Sequence, residues 1–308
     1  MAQPNLTRGP RAARGGWLRL NQRQSEGLFG YILLAPIVVC LATLVVYPFF
    51  FAIYISFTNR MIGGQAEYIG LGNYLYLMRQ PDFVASVRNT VVLVFFVQLI
   101  KLVLGLGIAT LLNQPIRFRQ FWRGLILLPW AMPAFVAFIT WKLLLVPQGG
   151  AFNFILIELG LVNTHVEFLS SKALAMPSVI TASVWRGFPF WVISFLAAMQ
   201  TVPKELYEAA VLDGANAWAR FRNVTLPSIR HIVLVVILVS TIWTTNSFEA
   251  VFLMTGGGPS NATLTFPVLA YYSLQSLQIG EAAAVSVALL PVFAVLALII
   301  AVLLQREN

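Results

Sequence analysis

Side chains able to do chemistry are few in this chain, and they do not cluster. The 308 residues include one cysteine, Cys40, and two histidines, His165 and His231, which stand far apart. None of them has the spacing of a zinc or haem ligand set. The sequence also lacks the G-x-x-x-x-G-K-[ST] loop that binds ATP and the G-x-S-x-G turn that presents a nucleophilic serine. The sequence therefore predicts no catalytic residue and no metal or nucleotide site in this chain.

The remaining candidates are charged residues inside long apolar stretches. Lys101, Arg186 and Glu249 each have mainly apolar neighbours, and Arg186 lies in the string Trp185-Arg-Gly-Phe-Pro189. An ionisable side chain at membrane depth is costly, so it usually lines a solute path or pairs with another group. Arg186 could line a path or pair with Glu249, and Lys101 could line the same path or bond between helices. Two cations would suit an anionic solute such as a phosphorylated or sulfonated polyol, but arginine also hydrogen bonds neutral sugars, so both classes stay open.

Composition shows what kind of element must hold these charges. Charged residues make up 10% and apolar residues 59% of the chain, and mean hydropathy is +0.81. A soluble protein usually has about 25% charged residues and could not cover its surface with so few. Six apolar stretches are long enough for a spanning helix, which needs about 20 residues. They are Phe29–Phe57, Asn89–Leu112, Leu125–Leu145, Ala173–Gln200, Ile232–Met254 and Ala282–Leu304. The sequence predicts an all-α integral membrane protein with six transmembrane helices. Prolines inside or beside these stretches can kink them or can simply be tolerated, as is common in membrane helices; they are Pro36, Pro48, Pro129, Pro133, Pro189 and Pro291.

Lysines and arginines in the loops predict the orientation of the chain. Thirteen of them fall on the side that holds both termini and the loops 114–123 and 201–231, and four fall on the other side. Because loops rich in these residues stay in the cytoplasm, both termini are predicted to be cytoplasmic. Residues 1–27 form a basic N-terminal arm, which we interpret as an anchor on anionic membrane lipid. The arm lacks the interleaved aromatic residues of a nucleic-acid site.

One connection is too long and too charged for a simple helix bundle. Residues 201–228 join spans four and five and read TVPKELYEAAVLDGANAWARFRNVTLPS. Pro203 can open a helix, and Asp213-Gly214 can end it with glycine in the left-handed position. Asn216 can cap a second short helix that Pro227 would end. The pattern predicts a cytoplasmic helix–turn–helix, which could dock another protein or rest as an amphipathic helix on lipid.

The string Tyr207-Glu-Ala-Ala-Val-Leu-Asp-Gly-Ala215 in this connection, with Leu226-Pro227 after it, closely resembles the EAA loop of ATP-binding-cassette importer permeases. In that family the loop is cytoplasmic and follows the antepenultimate span. The strings Leu33-Leu-Ala-Pro36 and Gly72-Asn-Tyr74 resemble the carbohydrate-type permeases, and Thr255-Gly-Gly-Gly-Pro259 resembles the loop before the last span in the maltose and glycerol-3-phosphate branch. The resemblance covers residues 28–304. The sequence departs from the maltose-type permeases in one respect, because the extra N-terminal spans and the large periplasmic insert that they can carry do not fit its pattern of apolar stretches.

The resemblance implies a function and a set of partners. The chain would be a multi-pass permease subunit in a bacterial-type inner membrane, with residues 28–308 as the permease domain, forming half of a path for a sugar or sugar derivative. Its partners would be a second permease, an ATPase dimer and an extracytoplasmic substrate-binding protein. ATP and Mg²⁺ would bind to the ATPases, so this chain itself would carry no cofactor and no enzymatic activity.

The resemblance also implies roles for the residues of the EAA loop. Gly214 would supply the turn, the two alanines would allow close approach of the ATPase, and the two carboxylates would anchor the contact. The coupling residues carried over are Glu208, Ala209, Ala210, Asp213 and Gly214. Glu208 could instead pair with Lys204 one helical turn away.

Candidates for contact with the solute follow from the chemistry of sugar sites, which combine aromatic faces with a few hydrogen-bonding groups. The aromatic residues could instead face lipid or pack between helices, and the polar ones could bond between helices. The substrate-path candidates are Arg186, Trp185, Phe188, Trp243, Thr245, Asn246, Glu249 and Lys101, with Trp130, Trp141 and Trp191 as further aromatic residues.

Three other functions fit the composition less well. The main alternative is an ion-driven secondary transporter of a small polar solute. It would need paired acidic groups at the membrane midplane, where Glu249 alone is remotely suitable, and it would leave the motif in 201–228 unexplained. A membrane enzyme would need a convergent cluster of catalytic side chains, and none is visible. An importer permease for phosphate, polyamine or amino acid is disfavoured by the strings of carbohydrate type.

Overall fold

The computed structural model describes the backbone of residues 22–305 and the side chains of 30–299 and 301–303. The regular elements of the described chain are all helices, and it has no strand apart from two isolated bridges that join Thr58 to Tyr68 and Met61 to Gln278. It divides into an N-terminal unit that ends at Phe51 and a larger unit that begins at Ala52. Residues 1–21 of the predicted basic arm lie outside the described residues.

The described part of the N-terminal unit, from residue 22 onward, is one long helix. Helix α1 (Gln22–Leu41) passes through a π-helical turn, Ala42–Val46, into α2 (Tyr47–Ser56), whose last turn begins the larger unit. Pro36 stands inside α1 without ending it. Residues 30–56 of this helix carry no charge and are long and apolar enough to cross a membrane.

The larger unit contains thirteen further helices among the described residues. They are α3 (Gly72–Arg79), α4 (Pro81–Asn113), α5 (Arg119–Ala131), α6 (Ala134–Leu144), α7 (Ala151–Glu158), α8 (Ala175–Gln200), α9 (Lys204–Leu212), α10 (Ala217–Arg220), α11 (Leu226–Thr245), α12 (Phe248–Met254), α13 (Phe266–Gln275), α14 (Ile279–Val287) and α15 (Leu290–Gln305).

Within the described residues, five helical stretches could cross a membrane by length and apolar composition, and one bent pair would make a sixth if it counts as a single span. The five are Gly30–Ser56, Pro81–Asn113, Ala175–Gln200, Ala217–Thr245 and Ile279–Leu303. The bent pair is α5 with α6, which meet at 89°. An all-helical membrane protein with five or six candidate spans agrees with the fold class predicted from the sequence.

The third predicted stretch, Leu125–Leu145, is not one continuous helix. The chain leaves helical geometry at Met132, whose ψ is 134°, and α6 begins after Pro133. Proline disfavours helical geometry in the residue before it and has no N–H to continue the ladder. Pro129 stands inside α5 without breaking it, so the break belongs to the second proline alone.

The fifth predicted stretch, Ile232–Met254, begins after the start of the observed helix and extends beyond its end. The observed helix runs from Ala217 to Thr245, and α12 is a separate helix after a break at Asn246 and Ser247. At the break, the side chains of Thr245 and Asn246 donate to the carbonyl oxygens of Thr241 and Ile242, each at 2.8 Å. Such side-chain bonds to the backbone compete with the helical ladder.

Helices α4 and α8 form the centre of the larger unit. A Cβ atom at Gly105 of α4 would lie 2.8 Å from the Cβ of Trp191 on α8, so only glycine allows this approach. Trp191 and Phe195 are fully buried beside it. Many large apolar side chains elsewhere are exposed, as expected for helices that face lipid. The packing of α4 against α8 positions the buried charges described next.

Candidate substrate cavity and candidate coupling surface

A small cavity of about 80 Å³ lies where α4, α5, α6, α8 and α11 converge. Four of the predicted path residues line it: Lys101 from α4, Trp130 from α5, Arg186 from α8 and Trp243 from α11. Its other lining residues are Phe138, Ser183, Gly187, Phe190, Ser240, Thr244 and Ser247. Helices distant in sequence therefore bring two cations, several hydroxyl groups and aromatic rings to one place.

Lys101 reaches this cavity across the backbone of Gly187. Lys101 is 6% exposed, and a Cβ atom built on Gly187 would overlap with its Cε and Nζ atoms. The glycine thus leaves the space through which the lysine side chain passes from α4 to the face of α8. This role of Gly187 was missed by sequence reasoning, although its position next to Arg186 was a signal.

Arg186 has no ion-pair partner in the described part of the chain. Its Nε atom and the Oγ atom of Ser183, one turn earlier on α8, are buried without a hydrogen-bond partner. Glu249, the partner considered from the sequence, is exposed on α12 and forms no ion pair with Arg186. No acidic residue lines the cavity within the described residues. The site therefore holds net positive charge and unused donors.

A row of three aromatic rings forms one wall of the cavity. The ring of Phe190 lies 6.5 Å from that of Trp130 and 5.0 Å from that of Trp243, measured between centroids. The three rings come from α8, α5 and α11. Such a wall offers apolar contact beside the hydroxyl groups, which is the combination that polyol sites use.

A buried chain of hydrogen bonds fixes α11 against α4 and α8 below this wall. The Trp191 indole N–H donates to Ser240 Oγ at 3.0 Å, and Ser240 Oγ donates to Gln98 Oε1 at 2.9 Å. Gln98 Nε2 then donates to Thr244 Oγ1 at 3.2 Å. All four side chains are buried. Gln98, Ser240 and Thr244 were not singled out from the sequence, although polar residues within apolar spans were the signal.

The other predicted path residues lie away from the cavity lining. Trp185 packs edge-on against Trp141, with ring centroids 5.8 Å apart, and Phe188 packs beside the buried cluster around Trp191. Thr245 and Asn246 bond to their own helix, as described above.

The predicted helix and turn in residues 201–228 are both present. Helix α9 begins at Lys204, directly after Pro203, and ends in a Schellman motif. Gly214 has φ +79°, its N–H donates to Val211 O at 3.0 Å, and the N–H of Ala215 donates to Ala210 O at 2.9 Å. This geometry explains the glycine, because other residues rarely adopt a left-handed backbone.

The second helix of this connection differs from the prediction at its end. Asn216 caps it as predicted, accepting from the N–H of Ala219 at 2.8 Å. Pro227 does not end it, however, because α10 continues through a π-helical turn, Phe221–Thr225, into α11. Pro227 comes just after the wider π turn, and such a turn accommodates a helix interior in which proline cannot make the i→i−4 bond.

The tip of this connection is an exposed surface with both apolar and charged groups, which we call the α9 tip (residues 206–218). Leu212 is 89% exposed and Trp218 is 67% exposed. Glu208 is exposed and forms no ion pair with Lys204 in the described chain. The Tyr207 hydroxyl hydrogen bonds with Thr225 Oγ1 at 3.0 Å, which ties α9 to the base of α11. The α9 tip is therefore connected by a side-chain hydrogen bond to the start of the helix that lines the cavity.

Comparison with known proteins places the chain in a family. Residues 101–307 match the family described as the binding-protein-dependent transport system inner membrane component. The chain is 32% identical to the trehalose/maltose transport system permease protein MalF of Thermococcus litoralis, over 83% of this chain and 88% of that one. It is 34% identical to the inner membrane ABC transporter permease protein YcjO of Escherichia coli, over 91% and 96%.

One further relative in sequence and one solved structure are also similar to this chain. The chain is 32% identical to the sulfoquinovosyl glycerol transport system permease protein SmoG of Agrobacterium fabrum, over 88% of this chain and 87% of that one. Among solved structures, the fold is similar to a bacterial ABC transporter involved in the import of the acidic polysaccharide alginate, with a TM-score of 0.80. That match covers 92% of this chain and 96% of the other at 21% identity, so it supports the fold alone.

Proposed function

Because the chain belongs to the family of binding-protein-dependent transport system inner membrane components, we propose that it is the permease subunit of an ATP-driven importer for a sugar or sugar derivative. Members of this family are multi-pass inner membrane transport subunits and not enzymes. Two relatives that cover most of the chain are named for the transport of trehalose or maltose and of sulfoquinovosyl glycerol. These names support a carbohydrate cargo for this chain.

The single observation that carries the coupling proposal is the α9 tip. A Schellman turn at Gly214 presents the small residues Ala209 and Ala210 beside two exposed carboxylates, Glu208 and Asp213, which form no ion pair within the described part of the chain. Small side chains permit a close approach of another backbone, and exposed carboxylates can bond to it. We assign these five residues to the contact with a cytoplasmic ATPase, which would bind the ATP and Mg²⁺.

In this proposal, the motion of the ATPase passes from α9 through a side-chain hydrogen bond to α11. ATP can shift the permease only by favouring one docked arrangement over the other. Tyr207 and Thr225 join α9 to the base of α11, and α11 carries Ser240, Trp243 and Thr244 to the cavity. A displacement of the α9 tip is thereby passed to the wall of the solute path.

The assembly that follows has both termini in the cytoplasm, as the loop charges favour, with residues 28–308 as the permease domain. A second permease would supply the other half of the path, and an extracytoplasmic binding protein would deliver the cargo. The cavity residues Lys101, Arg186 and Trp243 are the path residues that we retain as solute contacts. Trp185 and Phe188 would act on the path indirectly, through packing. Thr245, Asn246 and Glu249 do not line the cavity, and we assign them no contact with the solute.

Co-purification tests this proposal. A tagged copy of the chain, extracted in mild detergent, should bring down an ATPase and a second permease in fixed stoichiometry. A cysteine at Ala209 should form a cross-link to that ATPase, whereas a cysteine at the exposed Thr164 of the opposite loop should not. Recovery of the chain alone, with transport activity intact, would contradict the assignment to an ATP-driven importer.

A further inference from the structure

The cavity between α4, α8 and α11 concentrates positive charge in a place where charge is costly. Lys101 and Arg186 both line it, and their like charges repel each other across it. Cations within a membrane span are usually paired with a carboxylate or a carbonyl group. Within the described residues, no acidic side chain lines the cavity, and neither cation has an ion-pair partner.

Two donors that line this cavity have no acceptor in the described chain. Arg186 Nε and Ser183 Oγ are buried without a hydrogen-bond partner, and Lys101 is 6% exposed, with its side chain held over Gly187. A buried donor without an acceptor is rare, because it loses its hydrogen bonds to water and gains none within the protein. Two cations and a hydroxyl group directed at one small space form the donor set that an oxyanion requires.

The size of the cavity fits a charged group better than a whole solute. Its volume of about 80 Å³ is room for a few water molecules or for the charged end of a larger molecule. The aromatic wall formed by Trp130, Phe190 and Trp243 lies directly beside the cations. A sugar ring stacked on this wall could place an attached oxyanion between Lys101 and Arg186.

We propose that the cargo of this permease is an acidic sugar or sugar derivative, and that Lys101, Arg186 and Ser183 bind its carboxylate, sulfonate or phosphate group during transport. This inference rests on the proposed function, since it names the cargo class of the same transporter. Neutral sugars make poor cargo in this account because they leave both cations uncompensated at membrane depth.

The first part of the test identifies the charge of the cargo. The cognate binding protein is screened by thermal shift against neutral and acidic mono- and oligosaccharides, and the ligands found are used to stimulate the ATPase of the reconstituted complex. We expect stimulation by acidic sugars and none by their neutral counterparts. Stimulation by neutral sugars alone would overturn the acidic cargo and leave the proposed function standing. A complex that no sugar stimulates would overturn both.

The second part assigns the charge to these residues. In proteoliposomes that hold the complete complex, Lys101→Met and Arg186→Gln should each reduce uptake of the acidic sugar at least tenfold, and Arg186→Lys should retain most of it. Lys142→Met serves as the matched control, because Lys142 is exposed on α6 and lies outside the cavity. Wild-type uptake by both charge-removing variants would overturn the assignment, as would equal loss in Arg186→Lys and Arg186→Gln.

Discussion

Gly187 and Gly214 show two different physical reasons for a glycine at the scale of single residues. At Gly187 the backbone is helical, and the restriction is space, because Lys101 occupies the position of a side chain. At Gly214 the space is open, with no atom within 4 Å of a Cβ, and the restriction is the left-handed φ of +79°. The requirement for glycine at Gly214 could be predicted from the sequence, because Asp-Gly after a helical pattern is typical of a helix C-terminus. The requirement at Gly187 could not be predicted, because it depends on a lysine 86 positions earlier.

Substitution of Gly214 tests the α9 tip. A β-branched residue in the left-handed region costs roughly 1–2 kcal/mol, so Gly214→Val should distort the turn and abolish ATP-driven uptake. Gly160→Val is the matched control, because Gly160 also has a positive φ, +65°, and open space around it, but lies in the loop after α7. Uptake by Gly214→Val equal to that of the control would argue against docking at this turn.

Substitution of Gly187 tests the placement of Lys101. The added methyl group of Gly187→Ala would displace the lysine side chain, and such overpacking typically costs about 1–3 kcal/mol. We expect a lower unfolding midpoint and impaired uptake of the cargo. Gly107→Ala on α4, where a Cβ meets nothing within 4 Å, should leave both unchanged. An unaltered midpoint and uptake rate in Gly187→Ala would show that Lys101 does not need this route.

At the scale of elements, apolar length predicted the spans, but local chemistry decided where they break. Pro133 separates α5 from α6, and side-chain bonds at Thr245 and Asn246 end α11, whereas Pro227 ends nothing. A proline breaks a helix only where the surrounding chain cannot compensate for the missing hydrogen bond. At Pro227 the preceding π turn compensates for it, and the helix continues. Sequence windows carry no information on that difference, so existence of the helices could be predicted and their continuity could not.

The hydrogen-bond chain between α4, α8 and α11 should contribute to the stability of the bundle. Ser240→Ala removes its central hydroxyl and leaves the Trp191 N–H and Gln98 Oε1 without that partner, at a cost of about 1–3 kcal/mol. Thermal unfolding in detergent should show a lower midpoint. Ser286→Ala, which removes only a bond to its own helix at Ala282 O, should change the midpoint little. Equal midpoints for the two variants would contradict a structural role for the chain.

At the scale of the whole molecule, the cavity depends on helices that are far apart in sequence. Lys101, Arg186 and Trp243 could be selected individually, as charges and a tryptophan within apolar stretches. These three residues line one cavity because α4 packs closely on α8 at Gly105 and Trp191. Hydrophobic periodicity in the sequence does not predict which helices pack together. Trp185 and Phe188 were selected by the same reasoning and lie elsewhere, because a helix rotates neighbouring side chains onto different faces.

The orientation of the molecule can be mapped with single cysteines. Cys40 is the one cysteine in the sequence, so Cys40→Ser provides a cysteine-free background. In intact cells, a membrane-impermeant maleimide should label Gly64→Cys and Thr164→Cys, both in loops predicted to be outside. It should label Gln120→Cys and Arg222→Cys only after the membrane is opened. The reverse pattern would contradict cytoplasmic termini and a cytoplasmic α9 tip.

We propose that this chain moves its cargo by coupling to an ATPase, and uptake by the reconstituted complex tests that coupling. Proteoliposomes containing the complete complex should accumulate the labelled cargo only with ATP inside and the loaded binding protein outside. Ionophores that collapse proton and sodium gradients should leave that uptake unchanged. Uptake that ignores ATP and follows an imposed ion gradient would contradict the account and support an ion-driven transporter instead.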